Sequence, residues 1–107
     1  MAPPEVVNTE PFPPVPASLL HLPLKREYFE QIRDGKKRFE YRLRTAYWCR
    51  RLEGRFYSGI VLTMGYPPAN DAARRLELPF RGYELATITH EHFGPSPVHV
   101  FAIRVWP

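Results

Sequence analysis

The sequence predicts a small α+β domain, on three observations. Segments with helical spacing of apolar residues fall in the first half of the chain, alternating or β-branched segments dominate the second, and no regular strand–helix–strand alternation runs through it. A length of 107 residues fits one domain and is too short for a doubly wound dinucleotide-binding fold or an α/β barrel. The order of elements favours a curved or closed sheet over an open parallel one.

Each element has its own warrant. Residues 1–23 hold seven of the 13 prolines, no Lys or Arg, and the acids Glu5 and Glu10, a composition that favours extended, solvated backbone. Residues 1–17 are therefore expected to form a flexible proline-rich N-terminal arm, and residues 18–107 the folded domain. Pro13 and Pro16 satisfy a PxxP spacing, which also makes the arm a candidate ligand for a partner protein. Leu19–Leu24 is a short apolar run that can open the domain as a strand. Arg26–Asp34 reads as a helix with Tyr28, Phe29 and Ile32 on one face and Gly35 as its stop.

After Gly35 the period changes to two. Phe39, Tyr41 and Leu43 alternate with Arg38, Glu40 and Arg42, as in a half-buried strand whose charged face is turned to solvent or a cleft. Thr45 can cap a second helix running through Leu52, with Tyr47, Cys49 and Leu52 as inner-face candidates and Gly54 ending it. Ser58–Met64 is β-branched and apolar, reads as a central strand, and is broken by Gly65-Tyr66-Pro67-Pro68. A short helical turn is expected at Asp71–Arg75, and Leu85–Thr89 and Val98–Val105 as the last two strands. The chain contains no internal repeat.

The net charge of +4 is unevenly distributed. Residues 25–55 carry eleven basic side chains against five acids, a net of +6, whereas residues 56–107 balance four against four. A concentration of arginines suits a phosphate-contacting surface, because the guanidinium fork matches phosphate oxygens; a solvated mixed-charge face is the plainer reading. The single cysteine, Cys49, excludes an internal disulfide and a cysteine-based zinc cluster, and fits a reducing, cytoplasmic setting. No apolar stretch reaches the roughly 20 residues of a membrane helix, and the N-terminus lacks the basic-then-apolar order of a signal peptide. No membrane association is expected.

Between the first helix and the following strand the sequence reads Gly35-Lys36-Lys37-Arg38-Phe39-Glu40-Tyr41-Arg42, which fits GxKxxExR. In this motif, and in the order strand, helix, motif strand, further strands, residues 19–106 resemble the ASCH (activating signal cointegrator homology) domain family. The resemblance implies a PUA-like small β-barrel with a cleft at the motif and a role in binding RNA or modified nucleosides. It further implies that Lys37, Glu40 and Arg42 are cleft residues and that Gly35 shapes the turn. Some small members are amidohydrolases on N(4)-acetylcytidine, and others are described as nucleases acting on single-stranded RNA. In the amidohydrolase members a threonine follows the motif lysine by three residues, where this chain has Glu40.

The residues themselves support a site of this kind. Glu40 and Arg42, two apart on a strand, project to one face and can pair or jointly grip a polar ligand. Lys37 has the opposite strand parity and must reach the cleft from the turn after Gly35; desolvated, it can act as a base, and solvated, as a phosphate contact. Arg38, Arg44, Arg50 and Arg51 are available to phosphates. Tyr47, Trp48 and Tyr66 are candidates for stacking on unpaired bases, with Trp48 reading equally well as core. If Leu85–His92 stays extended, His90 and His92 share a strand face and Glu91 is a candidate second carboxylate, giving Lys37, Glu40 and Glu91 as the catalytic candidates. No third ligand stands at a metal-site spacing, so neither metal nor cofactor is expected. Three readings remain open: an RNA- or nucleoside-binding domain, a hydrolase on an acylated cytidine or on RNA, and a non-catalytic adaptor.

Overall fold

The computed structural model describes residues 18–107. The proline-rich arm expected over residues 1–17, with its PxxP spacing, lies outside the described residues. The described chain is α+β, with two α-helices and two sheets of three strands each. Strand β1 is Leu19–Leu24, helix α1 Arg26–Arg33, strand β2 Phe39–Leu43, helix α2 Ala46–Leu52, and strand β3 Gly59–Met64. A 3-10 turn at Ala72–Arg74 leads into β4, Arg75–Leu78; β5 is Tyr83–Ile88, a second 3-10 turn covers Glu91–Phe93, and β6 is Val98–Arg104.

One sheet has the order β1-β3-β4 and the other β2-β6-β5. Strands β1 and β3 are parallel, in register Leu20 to Ile60 and Leu22 to Leu62, and the crossover between them contains α1, β2 and α2. All other neighbours are antiparallel. Alternation on β1 sends Leu20, Leu22 and Leu24 inward, where they join Phe29 and Ile32 of α1, Leu52 of α2, Ile60 and Leu62 of β3, and Phe101 and Ile103 of β6 in one core. Both faces of β6 are covered from Val100 to Ile103, as befits the middle strand of its sheet. Among the described residues no helix is long and apolar enough to cross a membrane.

Helix ends follow their sequence signals. Thr45 caps α2, its hydroxyl accepting from the Trp48 amide at 3.3 Å. Gly35 takes φ +77° after α1, with its own amide donating to the Ile32 carbonyl and the Lys36 amide to that of Gln31. This paired closure needs a left-handed residue, which is why glycine suits position 35.

One sequence expectation is narrowed, and three details differ from it. Of the two surroundings expected for the charged face of β2, solvent or a cleft, the structure gives the cleft: Glu40 and Arg42 both line it, and Glu40, whose register partner is the buried Ile103, is itself buried. Tyr47 is turned outward on α2 and half exposed, while Trp48 packs against the core. Residues 75–78 form a strand that the sequence reading passed over, paired to β3 through Leu76–Leu62 and Leu78–Ile60. Strand β5 ends at Ile88, so the His90-Glu91-His92 run is not extended: it bends into a 3-10 turn.

Candidate functional site

β1 and β2 each occupy an outer position in their own sheets, and a cleft opens between them. Its volume is about 290 Å³, and its walls come from four elements and a turn. Pro23 and Leu24 end β1, Lys25 and Tyr28 begin α1, Glu40 to Leu43 supply β2, Thr45 and Trp48 begin α2, and His90, His92 and Phe93 close the remaining side.

The closure after α1 positions Lys37. Its amide donates to the same Gln31 carbonyl that receives Lys36, which turns the chain sharply and sends the lysine side chain into the cleft. There the ammonium donates to the Phe39 carbonyl and lies over the rings of Tyr41, at 4.4 Å, and Tyr28, at 5.6 Å. Glu40 lies between two cations, with Oε2 3.1 Å from Arg42 Nη2 and Oε1 3.8 Å from Lys37 Nζ. The same Arg42 nitrogen donates to the Pro23 carbonyl at 3.0 Å, tying the edge of one sheet to that of the other. Its guanidinium carbon sits 5.0 Å from the centre of the Trp48 ring.

Burial shifts both Glu40 and Lys37 towards their neutral forms. The Glu40 carboxyl is pushed above its ordinary value by loss of solvent, against the opposing pull of Arg42, then Lys37, then His90. The Lys37 amine is pushed below its ordinary value, again by loss of solvent first, with Glu40 opposing and Arg42 assisting. Desolvation therefore outweighs attraction on both sides of the pair, as is common for a dry ion pair. The Tyr28 hydroxyl is pushed up by burial and then by the charges of Glu27, Glu91 and Glu40, so it stays protonated.

The wall opposite β2 is aromatic and imidazole. Tyr28 meets His90 and His92 edge-on at 5.9 and 6.0 Å, and Phe93 lies 5.0 Å from His92. His90 Nδ1 accepts from the His92 amide at 3.1 Å, so neutral His90 carries its proton on Nε2. Among the described residues no group of three His, Cys, Asp or Glu converges to hold a metal ion.

Of the residues singled out in the sequence, Lys37, Glu40, Arg42 and Trp48 line this cleft together. Gly35 acts one step removed, through the turn that aims Lys37. Arg44 is directed elsewhere, 5.9 Å from the Phe101 ring centre, and Tyr47 packs edge-on against Trp48 without reaching the wall. Tyr66 is 90% exposed and stands apart from the cleft. Glu91 is exposed and off the wall, so it does not supply a second carboxylate; its charge reaches the site only through Tyr28. Arg38 stacks on Trp106 at 4.5 Å and Arg51 on Tyr47 at 5.2 Å, and no carboxylate of the described residues pairs with Arg38, Arg44, Arg50 or Arg51.

The sequence reading missed Tyr28 and Tyr41 as wall residues, since their spacing marked them as core. The sequence offers His90 and His92 only as metal ligands. The signal for them was the Gly94-Pro95-Ser96-Pro97 break that follows, which ends a strand early and leaves the histidines on a bend. Fold and site together define a small α+β domain with a charged floor and aromatic walls in one cleft. Comparison of the chain with models of known families, with curated proteins and with solved structures gives no match.

Proposed function

We propose that the chain is an ASCH-type, PUA-like domain that takes RNA or a modified nucleoside into the cleft between β1 and β2. The observation that carries the reading is that Lys37, Glu40 and Arg42, the three functional side chains of GxKxxExR, all line one cleft whose walls are flat rings. A volume of about 290 Å³ lies at the lower end of the roughly 300–1,000 Å³ usual for small-ligand sites, a scale that suits one nucleoside rather than a large cofactor. Tyr28, Tyr41 and Trp48 offer stacking surfaces, and hydrogen-bonding groups lie at the floor to meet a base edge. The PUA-like barrel belongs to the same proposal, with the cleft as its seam.

A hydrolytic reading is favoured by one feature, the depressed basicity of Lys37. An amine that loses its proton more readily can accept one from water as a general base, with Glu40 orienting that water, in the cleavage of an acylated cytidine or of RNA. Glu91 drops out of this scheme because it is not on the cleft wall.

The test uses the full chain. Retention of single-stranded RNA is expected to exceed that of a neutral polymer and to weaken steeply with added salt. Equal retention of the two at low salt refutes RNA binding, and absence of nucleoside binding as well refutes the reading whole. Incubation with N(4)-acetylcytidine and with single-stranded RNA decides the hydrolytic one: release of cytidine or shortening of the RNA that disappears in Lys37→Ala supports it, and the absence of both products removes it.

A further inference from the structure

A second hollow, of about 230 Å³, lies on the outer face of the β1-β3-β4 sheet, lined by His21, Pro23, Thr63, Tyr66, Pro67 and Arg75. Pro23 belongs to both cavities, so the hollow begins at the rim of the cleft. Pro23, Thr63 and Arg75 are register partners on three adjacent strands, a row about 10 Å long at the usual strand spacing.

The backbone that carries Tyr66 is braced while its ring is left unpacked. Gly65 takes φ +67°, its amide donates to Leu24 and its carbonyl accepts from Thr63 Oγ1 at 2.7 Å. Arg75 Nη2 donates to the carbonyls of Pro67 and Pro68 at 3.3 and 3.5 Å, which fixes the far side of the same turn. The ring projects from this braced turn 90% exposed, and contributes nothing to the core. No carboxylate of the described residues pairs with Arg75, and its Nε is buried without a partner. A solvent-facing ring carried on a braced turn, lining the same hollow as a guanidinium that no carboxylate of the described residues neutralises, suits stacking on a base and contact with its phosphate, and the pre-set backbone lowers part of the entropic cost.

Resting on the cleft reading above, we infer that the ligand is a single strand rather than a free nucleoside: one base enters the cleft and its neighbour stacks on Tyr66, with the phosphate at Arg75. The strand passes over Pro23. His21 and Thr63 supply polar contacts along the hollow.

The test compares each of the four ribonucleoside 5′-monophosphates and N(4)-acetylcytidine with the four RNA homotetramers, by calorimetry on the full chain. Tyr66→Ala is expected to weaken tetramer binding about 5- to 150-fold, the range for loss of one base stack, and to leave the monomeric ligands unchanged. Tyr66→Phe keeps the ring and is expected to bind as the parent does. Arg75→Gln should lower the salt dependence of tetramer binding, which Tyr66→Ala should not. Tyr66 is too exposed for its truncation to threaten folding. If monomers bind and tetramers bind no tighter, or if Tyr66→Ala leaves tetramer affinity intact, the second subsite is refuted while the cleft reading stands. If neither monomer nor tetramer binds, both fall.

Discussion

Replacing Arg42 by methionine removes a 3.1 Å ion pair to Glu40 and a 3.0 Å bond to the Pro23 carbonyl, while keeping much of the stem that packs by Trp48. Breaking a buried pair from one side costs about 3–5 kcal/mol when the remaining charge is left alone. Here the loss is smaller, because Lys37 stays 3.8 Å from the carboxylate and the Arg42 side chain is 18% exposed; about 2–4 kcal/mol is expected. A domain of this size has about 5–15 kcal/mol in total, so the variant folds with a lowered urea midpoint.

The loss also depends on pH, with a definite sign. Glu40 binds its proton more tightly in the folded chain than its ordinary value of 4.5 implies, so its ionised form costs stability at neutral pH. That cost is relieved as pH falls through the raised value towards 4.5. Removing Arg42, the charge that most holds the carboxyl down, raises the folded value further, at about 1.4 kcal/mol per unit of extra shift. Urea unfolding followed by tryptophan fluorescence is therefore expected to show a larger penalty for Arg42→Met at pH 7 than at pH 5. Adding Glu40→Gln to the variant should recover part of the loss at pH 7. An equal penalty at both pH values, or one under about 0.5 kcal/mol at pH 7, would show that Glu40 is not the burden described.

Two other predictions concern protons in the same cleft. Lys37, ¹³C-methylated at its amine and followed by NMR, is expected to titrate below the ordinary 10.5, and its charged form to cost stability that is regained as pH rises through that lowered value; a midpoint at or above 10.5 contradicts the desolvation described. In ¹⁵N spectra neutral His90 should show an unprotonated Nδ1 and a protonated Nε2, because Nδ1 accepts from the His92 amide; the opposite tautomer would rule out that hydrogen bond.

How much of this was legible in the sequence varies with the range of the forces involved. The two helices, their glycine stops and the Thr45 cap are local effects of spacing and backbone conformation, and the sequence reading located them to within a residue or two. The motif strand and the shared face of Glu40 and Arg42 were also legible, but the depth at which Glu40 is buried was not, since it depends on pairing to Ile103 more than sixty residues away. Strand β4 has only Leu76 and Leu78 as inward candidates, and it forms because β3 offers a ladder, a cause with no local trace. Lys37, Glu40 and Arg42 could be grouped in advance because eight residues span the motif. Tyr28, Tyr41 and His90 join them only through tertiary contact, and Tyr66, a stacking candidate by residue type after the central strand, is carried by the β3 turn to another face.

Pro23 has a consequence for the opening itself. Within a strand, the N–H and C=O of one residue point to the same side, and the Pro23 carbonyl faces β2, where Arg42 meets it. Its nitrogen faces that way too, and carries no hydrogen. At this level β1 offers the neighbouring strand an acceptor without the donor that a continuing ladder would use. The bond from one edge to the other here runs through a side chain, and the proline leaves β1 no amide there with which to add a backbone bond.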